Sequence, residues 1–97
     1  MNKQNIINDI KKYINENVMC NYKKYYVGIS NDPRRRLFNE HNVNEKGVWI
    51  ICPADSDTVA RDVEKYFLDL GMDGGPGGGD ETATYVYCYL KTSTTQP

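Results

Sequence analysis

Between Tyr25 and Asn42 the chain reads YYVGISNDPRRRLFNEHN, which places three consecutive arginines and the only histidine just after a Tyr-Val-Gly segment. Charge runs are ordinarily solvated helix faces, and three successive residues point in three directions. Here, however, Asn31-Asp32-Pro33 is a helix start: Asp32 can cap, and Pro33 suits the first helical position. The helix N-terminus already favours anions and disfavours cations, so arginines concentrated there make physical sense if a phosphate is their guest. His41, at the end of the same short helix, reads either as a C-terminal cap or as an acid-base group. A carboxylate completes the chemistry-bearing set. Glu64 lies on the flank of an amphipathic helix, about 60° from the apolar stripe's edge at Phe67, where it can sit at a cleft's rim partly shielded from water.

The elements that must position these groups follow from periodicity. Ile6, Ile10, Tyr13 and Ile14 recur at helical spacing and predict a helix over 3–17. Residues 23–30 alternate, with Tyr25, Val27 and Ile29 on one face and Tyr26, Gly28 and Ser30 on the other, which predicts a strand. Gly28 leaves room for a group to approach the second face. The arginine helix runs to about Glu40. The apolar run Gly47–Cys52, closed by Pro53, suits a buried strand. A further helix over 58–70 is opened by Ser56, Asp57 or Thr58 and ended by Gly71, with Val59, Val63, Tyr66, Phe67 and Leu70 as its stripe. GMDGGPGGGDE is a connector and not a P-loop, because no Gly-Lys-Ser/Thr follows. Residues 84–92 alternate tyrosines with Val86, Cys88 and Leu90 as a last strand, and 93–97 read as a frayed tail.

Three strands and three helices in 97 residues predict one small domain of the α+β class. The hydrophobic fraction of 39% supports a packed core rather than disorder. Cys20, Cys52 and Cys88 are odd in number and without metal or disulfide spacing, so a reduced, cytoplasmic setting is expected. The N-terminus lacks the apolar core of a signal peptide, and no run is long enough to span a membrane, so no membrane partner is expected. Residues 1–50 carry nine Lys or Arg against five acids; residues 51–97 carry three against eight. With a net charge of -1, nucleic acid would be held over a short footprint or delivered by a targeting partner.

The segment Tyr26-Val27-Gly28-Ile29-Ser30-Asn31-Asp32-Pro33-Arg34-Arg35-Arg36-Leu37 resembles the second half of the GIY-YIG endonuclease signature, a YIG or YVG strand followed by a helix with an arginine ten residues beyond the tyrosine. Tyr26 plus ten is Arg36. ARDVEKYFLDL, from Ala60 to Leu70, is similar to the later helix of that family, whose glutamate holds the metal; that position is Glu64. The two segments cover about a third of the chain. The resemblance implies a small three-stranded antiparallel sheet flanked by helices. It also implies hydrolysis of phosphodiesters with Mg²⁺ or Mn²⁺ on Glu64, Arg36 on the phosphate, and a tyrosine activating water. DNA is the implied partner, with RNA as the other nucleic acid, and Lys23, Lys24, Arg34 and Arg35 as further contacts.

Three positions depart from the pattern. The first tyrosine strand belongs about ten residues before Tyr26, where Asn15-Glu16-Asn17-Val18 ends a helix. Tyr85-Val86-Tyr87 could take its place if the domain is circularly rearranged, which makes Tyr87 the second catalytic tyrosine. The family carries His or Tyr four residues after the arginine, where Glu40 stands; His41 is one step later, turned by about 100° on a regular helix. A one-residue π-bulge or an early helix end would return it. An asparagine expected beyond the glutamate is replaced by Pro76, twelve residues after Glu64. A tyrosine base also needs a cation to lower its pKa, for which Arg36 and Lys24 are candidates. The rival expectations are a catalytically inactive domain of this fold that binds nucleic acid or protein, and an interaction domain with chance similarity.

Overall fold

The computed structural model describes residues 1–17, 20–75 and 80–97. Val18 and Pro76, two of the positions where the chain departs from the GIY-YIG pattern, lie outside them. The first helix, α1, spans Lys3–Asn15 and is opened by Asn2, whose side chain accepts from the Asn5 N–H at 2.9 Å. Its stripe of Ile6, Ile7, Ile10 and Ile14 is buried. A 3-10 turn at Tyr22–Lys24 then delivers the chain into β1, Tyr25–Ser30, so Lys23 and Lys24 stand before the strand and not in it.

Asp32 caps α2, Pro33–Arg35, by accepting from the Arg35 N–H. The helix does not continue regularly. Arg36–Glu40 form a π-helical turn, in which the His41 N–H donates five residues back to the Arg36 carbonyl at 2.8 Å. Strand β2 is Trp49–Pro53, helix α3 is Asp57–Asp69 with Ser56 as its cap, and β3 is Tyr85–Leu90. Gly71, at φ 108°, takes the left-handed conformation that lets the chain leave α3.

The three strands form one antiparallel sheet in the order β1-β3-β2, as the α+β reading predicts. The last strand is therefore the middle one. One face carries Tyr25, Val27, Ile29, Val86, Cys88 and Cys52, packed against α1 and α3. The other carries Tyr26, Tyr87 and Tyr89, packed with Leu37 and Val43 and flanked by Phe38, Trp49 and Ile51. All six residues of β1 are buried, because helical segments cover both of its faces. Its outer edge is also occupied: Val27 donates to the Asp73 carbonyl and Asp73 donates to that of Tyr25, each at 2.9 Å.

Three expectations are corrected here. The run ending at Pro53 is not a buried strand; β2 is the sheet edge, and within it only Cys52 is fully buried, which is why a proline is tolerated. The stripe of α3 is shifted from the predicted one: Val63 and Phe67 are buried as expected and Val59 and Tyr66 are partly buried against the core, but Ala60 and Glu64 are buried too and Leu70 is 41% exposed. Residues 93–97 are not frayed. The Gln96 N–H donates to the His41 carbonyl at 2.7 Å, and the Asn42 side chain donates to the Thr94 carbonyl at 3.1 Å. Asn42 sits at φ 56°, a left-handed position that asparagine tolerates.

Gly28 pairs with Tyr87 across the sheet, and the Tyr87 ring lies over it, so a β-carbon there would overlap the phenol. Gly28→Ala is expected to destabilise the fold by about 1–3 kcal/mol, the usual cost of overpacking a filled site. Urea denaturation of the two proteins measures this, and an unchanged midpoint would mean that the ring has another place to go.

Candidate active site

A cleft of about 260 Å³ opens between β1, the arginine helix and α3, and its lining includes Tyr26, Gly28, Arg35, Arg36, Glu64 and Tyr87. Four of the five predicted catalytic side chains thus share one cavity, although they come from four separate elements. The fifth, His41, reaches the same cluster from behind. Its Nε2 lies 2.9 Å from the Tyr87 hydroxyl, and its ring centroid is 4.6 Å from that of Tyr26. The π turn is the reason. A regular helix would aim His41 about 100° away, and one extra residue per turn brings it back onto the Arg36 face.

The cluster is aromatic and buried. Tyr26 stacks on Tyr89 at 5.2 Å and lies 6.4 Å from Tyr87, while His41 is 5% exposed among all three rings. Both ring nitrogens of His41 have partners. Nδ1 meets the Gln96 carbonyl at 2.7 Å and the Tyr89 hydroxyl at 3.1 Å, and Nε2 meets Tyr87. Tyr89 and Gln96 were not singled out from the sequence. Tyr89 was within reach, since the alternation Tyr85, Tyr87, Tyr89 puts all three on one face; Gln96 has no local signal.

The arginines separate by role. Arg36 points its Nε and Nη2 at the Tyr87 hydroxyl, each at 3.5 Å, and its Nη1 donates to Glu40 at 2.9 Å. Arg35 donates to the other Glu40 oxygen at 2.8 Å and lines the cleft mouth. Glu40, at the position where the resemblance asks for His or Tyr, therefore ties two guanidiniums together at the site. These exposed pairs add little stability, and their value is orientation. Arg34 turns aside and lies over the Trp49 ring, 5.6 Å from its centroid. Lys23 and Lys24 are exposed and do not line the cleft.

Electrostatics reverses one expectation. Burial raises the pKa of Tyr26 and pushes Tyr87 up to about 12, although Arg36 pulls both the other way. Lys24 is not among the charges acting on Tyr26; Arg36, Asp73 and Glu64 are. Both phenols are thus protonated at neutral pH, and the proton acceptor beside Tyr87 is His41. Burial lowers the His41 pKa, the Gln96 carbonyl opposes that shift, and Arg36 reinforces it. The imidazole is neutral at pH 7.

Glu64 is not at a rim. It is 5% exposed, and burial raises its pKa against the pull of Arg61. Among the described residues none donates a hydrogen bond to its carboxylate, and no group of three or more His, Cys, Asp or Glu side chains is placed to hold a metal. A single desolvated carboxylate facing a polar cleft fits a hard cation that keeps most of its waters, as Mg²⁺ does. No helix is long and apolar enough to cross a membrane among the described residues. Comparison with known proteins adds no kinship: no protein-family model, curated protein or solved structure matches the chain.

Because the folded pKa of His41 lies below 6.5, the unfolded chain binds more protons as pH falls through that value. The stability from its neutral burial is complete above 6.5 and is lost on acidification toward the folded pKa. His41→Gln removes this proton uptake. Between about pH 7.5 and about pH 5, wild type should lose more unfolding free energy than the variant, and parallel losses would refute a depressed pKa.

Proposed function

We propose that this chain is a metal-dependent nuclease that hydrolyses phosphodiester bonds by GIY-YIG-like chemistry, with DNA as the first substrate to test and RNA as the second. The observation that carries this reading is the convergence of Tyr26, Arg36, Glu64 and Tyr87 on one cleft, with His41 bonded to Tyr87 behind it. The position of β3 next to β1 supports the assignment of Tyr87, since it sets the C-terminal strand where a first tyrosine strand is wanted.

The guanidinium of Arg36 would grip the scissile phosphate, which it can do in bidentate fashion while remaining charged. Arg35, on the same Glu40 anchor, would steer the strand into the mouth. The attacking water would pass its proton to the Tyr87 oxygen as the Tyr87 proton moves to His41, so that no free phenolate has to persist in a buried site. Arg36 would stabilise negative charge on that oxygen in transit. Tyr26 would wall the cleft and hold the water against the phosphate. Glu64 would hold Mg²⁺ or Mn²⁺, which when bound supplies charge stabilisation at the leaving oxygen.

The test is a supercoiled-plasmid nicking assay with Mg²⁺ or Mn²⁺. Arg36→Ala and Glu64→Gln should each lower the rate by about 10²-fold or more, the range for losing a charge-stabilising group. Glu64→Gln should at the same time raise the melting temperature at neutral pH, because it removes a desolvated charge. Full cleavage by Glu64→Gln would overturn the assignment.

A further inference from the structure

The His41 contacts carry a consequence for the segment that follows β3. A carbonyl oxygen can only accept, so the 2.7 Å contact between Gln96 and Nδ1 requires the proton to be on Nδ1. In the neutral ring Nε2 is then bare, and the 2.9 Å contact to Tyr87 is a hydrogen bond donated by the phenol. The segment is pinned by bonds that do not involve the ring. The Gln96 N–H donates to the His41 carbonyl, Asn42 donates to Thr94, and the Thr92 N–H closes a turn onto the Thr95 hydroxyl at 3.0 Å.

We propose that residues 92–96 form a positioning strap for His41: the Gln96 carbonyl fixes the proton on Nδ1 and so leaves the Nε2 lone pair to take the Tyr87 proton. Without the strap, the remaining partner at Nδ1 is the Tyr89 hydroxyl, which can donate as well as accept. Both tautomers then become accessible. In the Nε2–H form the imidazole donates to Tyr87 and cannot accept its proton. With the strap in place the transfer balances. One water proton goes to the Tyr87 oxygen and the Tyr87 proton to Nε2. The water oxygen bonds to phosphorus, and the leaving oxygen departs with its electron pair and takes a proton from solvent. The resulting imidazolium donates from both nitrogens, to Gln96 and to Tyr87. Gln96 is thus a positioning residue that acts through its backbone.

The kinetic part of this inference rests on the nuclease reading; the tautomer part does not. His41 is the only histidine, so long-range ¹H–¹⁵N correlations of the full chain report its tautomer without overlap. Wild type is expected to show a single Nδ1–H form. The double variant Asn42→Gly, Gln96→Pro removes two anchors of the strap while permitting the left-handed backbone at residue 42. It should show a mixture of tautomers and a nicking kcat lowered by about tenfold or more with KM little changed. An Nε2–H form in wild type would overturn the proposal, as would a tautomer unmoved in a variant whose circular dichroism is native. A shifted tautomer with an unchanged kcat would overturn the strap's part in the relay. If the tautomer shifts but wild type nicks neither DNA nor RNA, the strap stands and the nuclease reading falls.

Discussion

A buried imidazole must find a partner for each of its two nitrogens, and much of this structure is organised around meeting that demand for His41. One partner comes from the middle strand and the other from the segment beyond it. Neither could be met from a regular helix, whose next residue would face elsewhere. The π turn, a local departure from the favoured hydrogen-bond pattern, closes a hydrogen-bonded network of six side chains, His41, Tyr87, Tyr89, Arg36, Glu40 and Arg35. In that network Tyr87 is the shared node. Its single hydroxyl faces Arg36 on one side and His41 on the other, which couples a permanent cation to a neutral base through one oxygen.

Glu64 sets the opposing constraint. Desolvating a carboxylate to 5% exposure weakens the fold, and the surrounding apolar packing has to offset that. The offset is visible in the neighbours on α3: Ala60, Val63 and Phe67 are all fully buried against the sheet. The core and the cleft therefore meet on one helix. The same rotation of the helix that sinks Phe67 into the core carries Glu64 to the floor of the cleft.

How much was legible in the sequence depended on range. The helix starts at Asp32 and among Ser56, Asp57 and Thr58 are chemical signals spanning three residues, and of these Asp32 and Ser56 cap. The alternation in β1 and β3 assigned side chains to faces, and Gly28 marked the position where a ring crosses. The stripe of α3 was right at Val63 and Phe67 but missed Ala60 and Glu64, because alanine and a buried glutamate do not look like core. The edge character of β2 was hidden, since an apolar run does not say how many neighbours it has. The docking of 93–97 on His41 was illegible for a similar reason: Ser, Thr and Gln are the composition of loose ends, and their backbone bonds leave no trace in side-chain pattern. The π turn could be posed as a question, from His41 standing one step late, but only tertiary contacts decide it.

The strand order has a consequence for how the molecule comes into being. β1 and β2 have no pairing with each other; among the strands each pairs only with β3, which follows them by 32 residues or more. No part of the sheet can therefore close until that strand arrives, and contacts of such separation slow folding because the intervening chain must first be gathered. Tyr87 and Tyr89 arrive on the same strand. A chain caught before that moment has helices and arginines but no cleft, so the side chains that converge on it are still scattered for as long as it is unfinished.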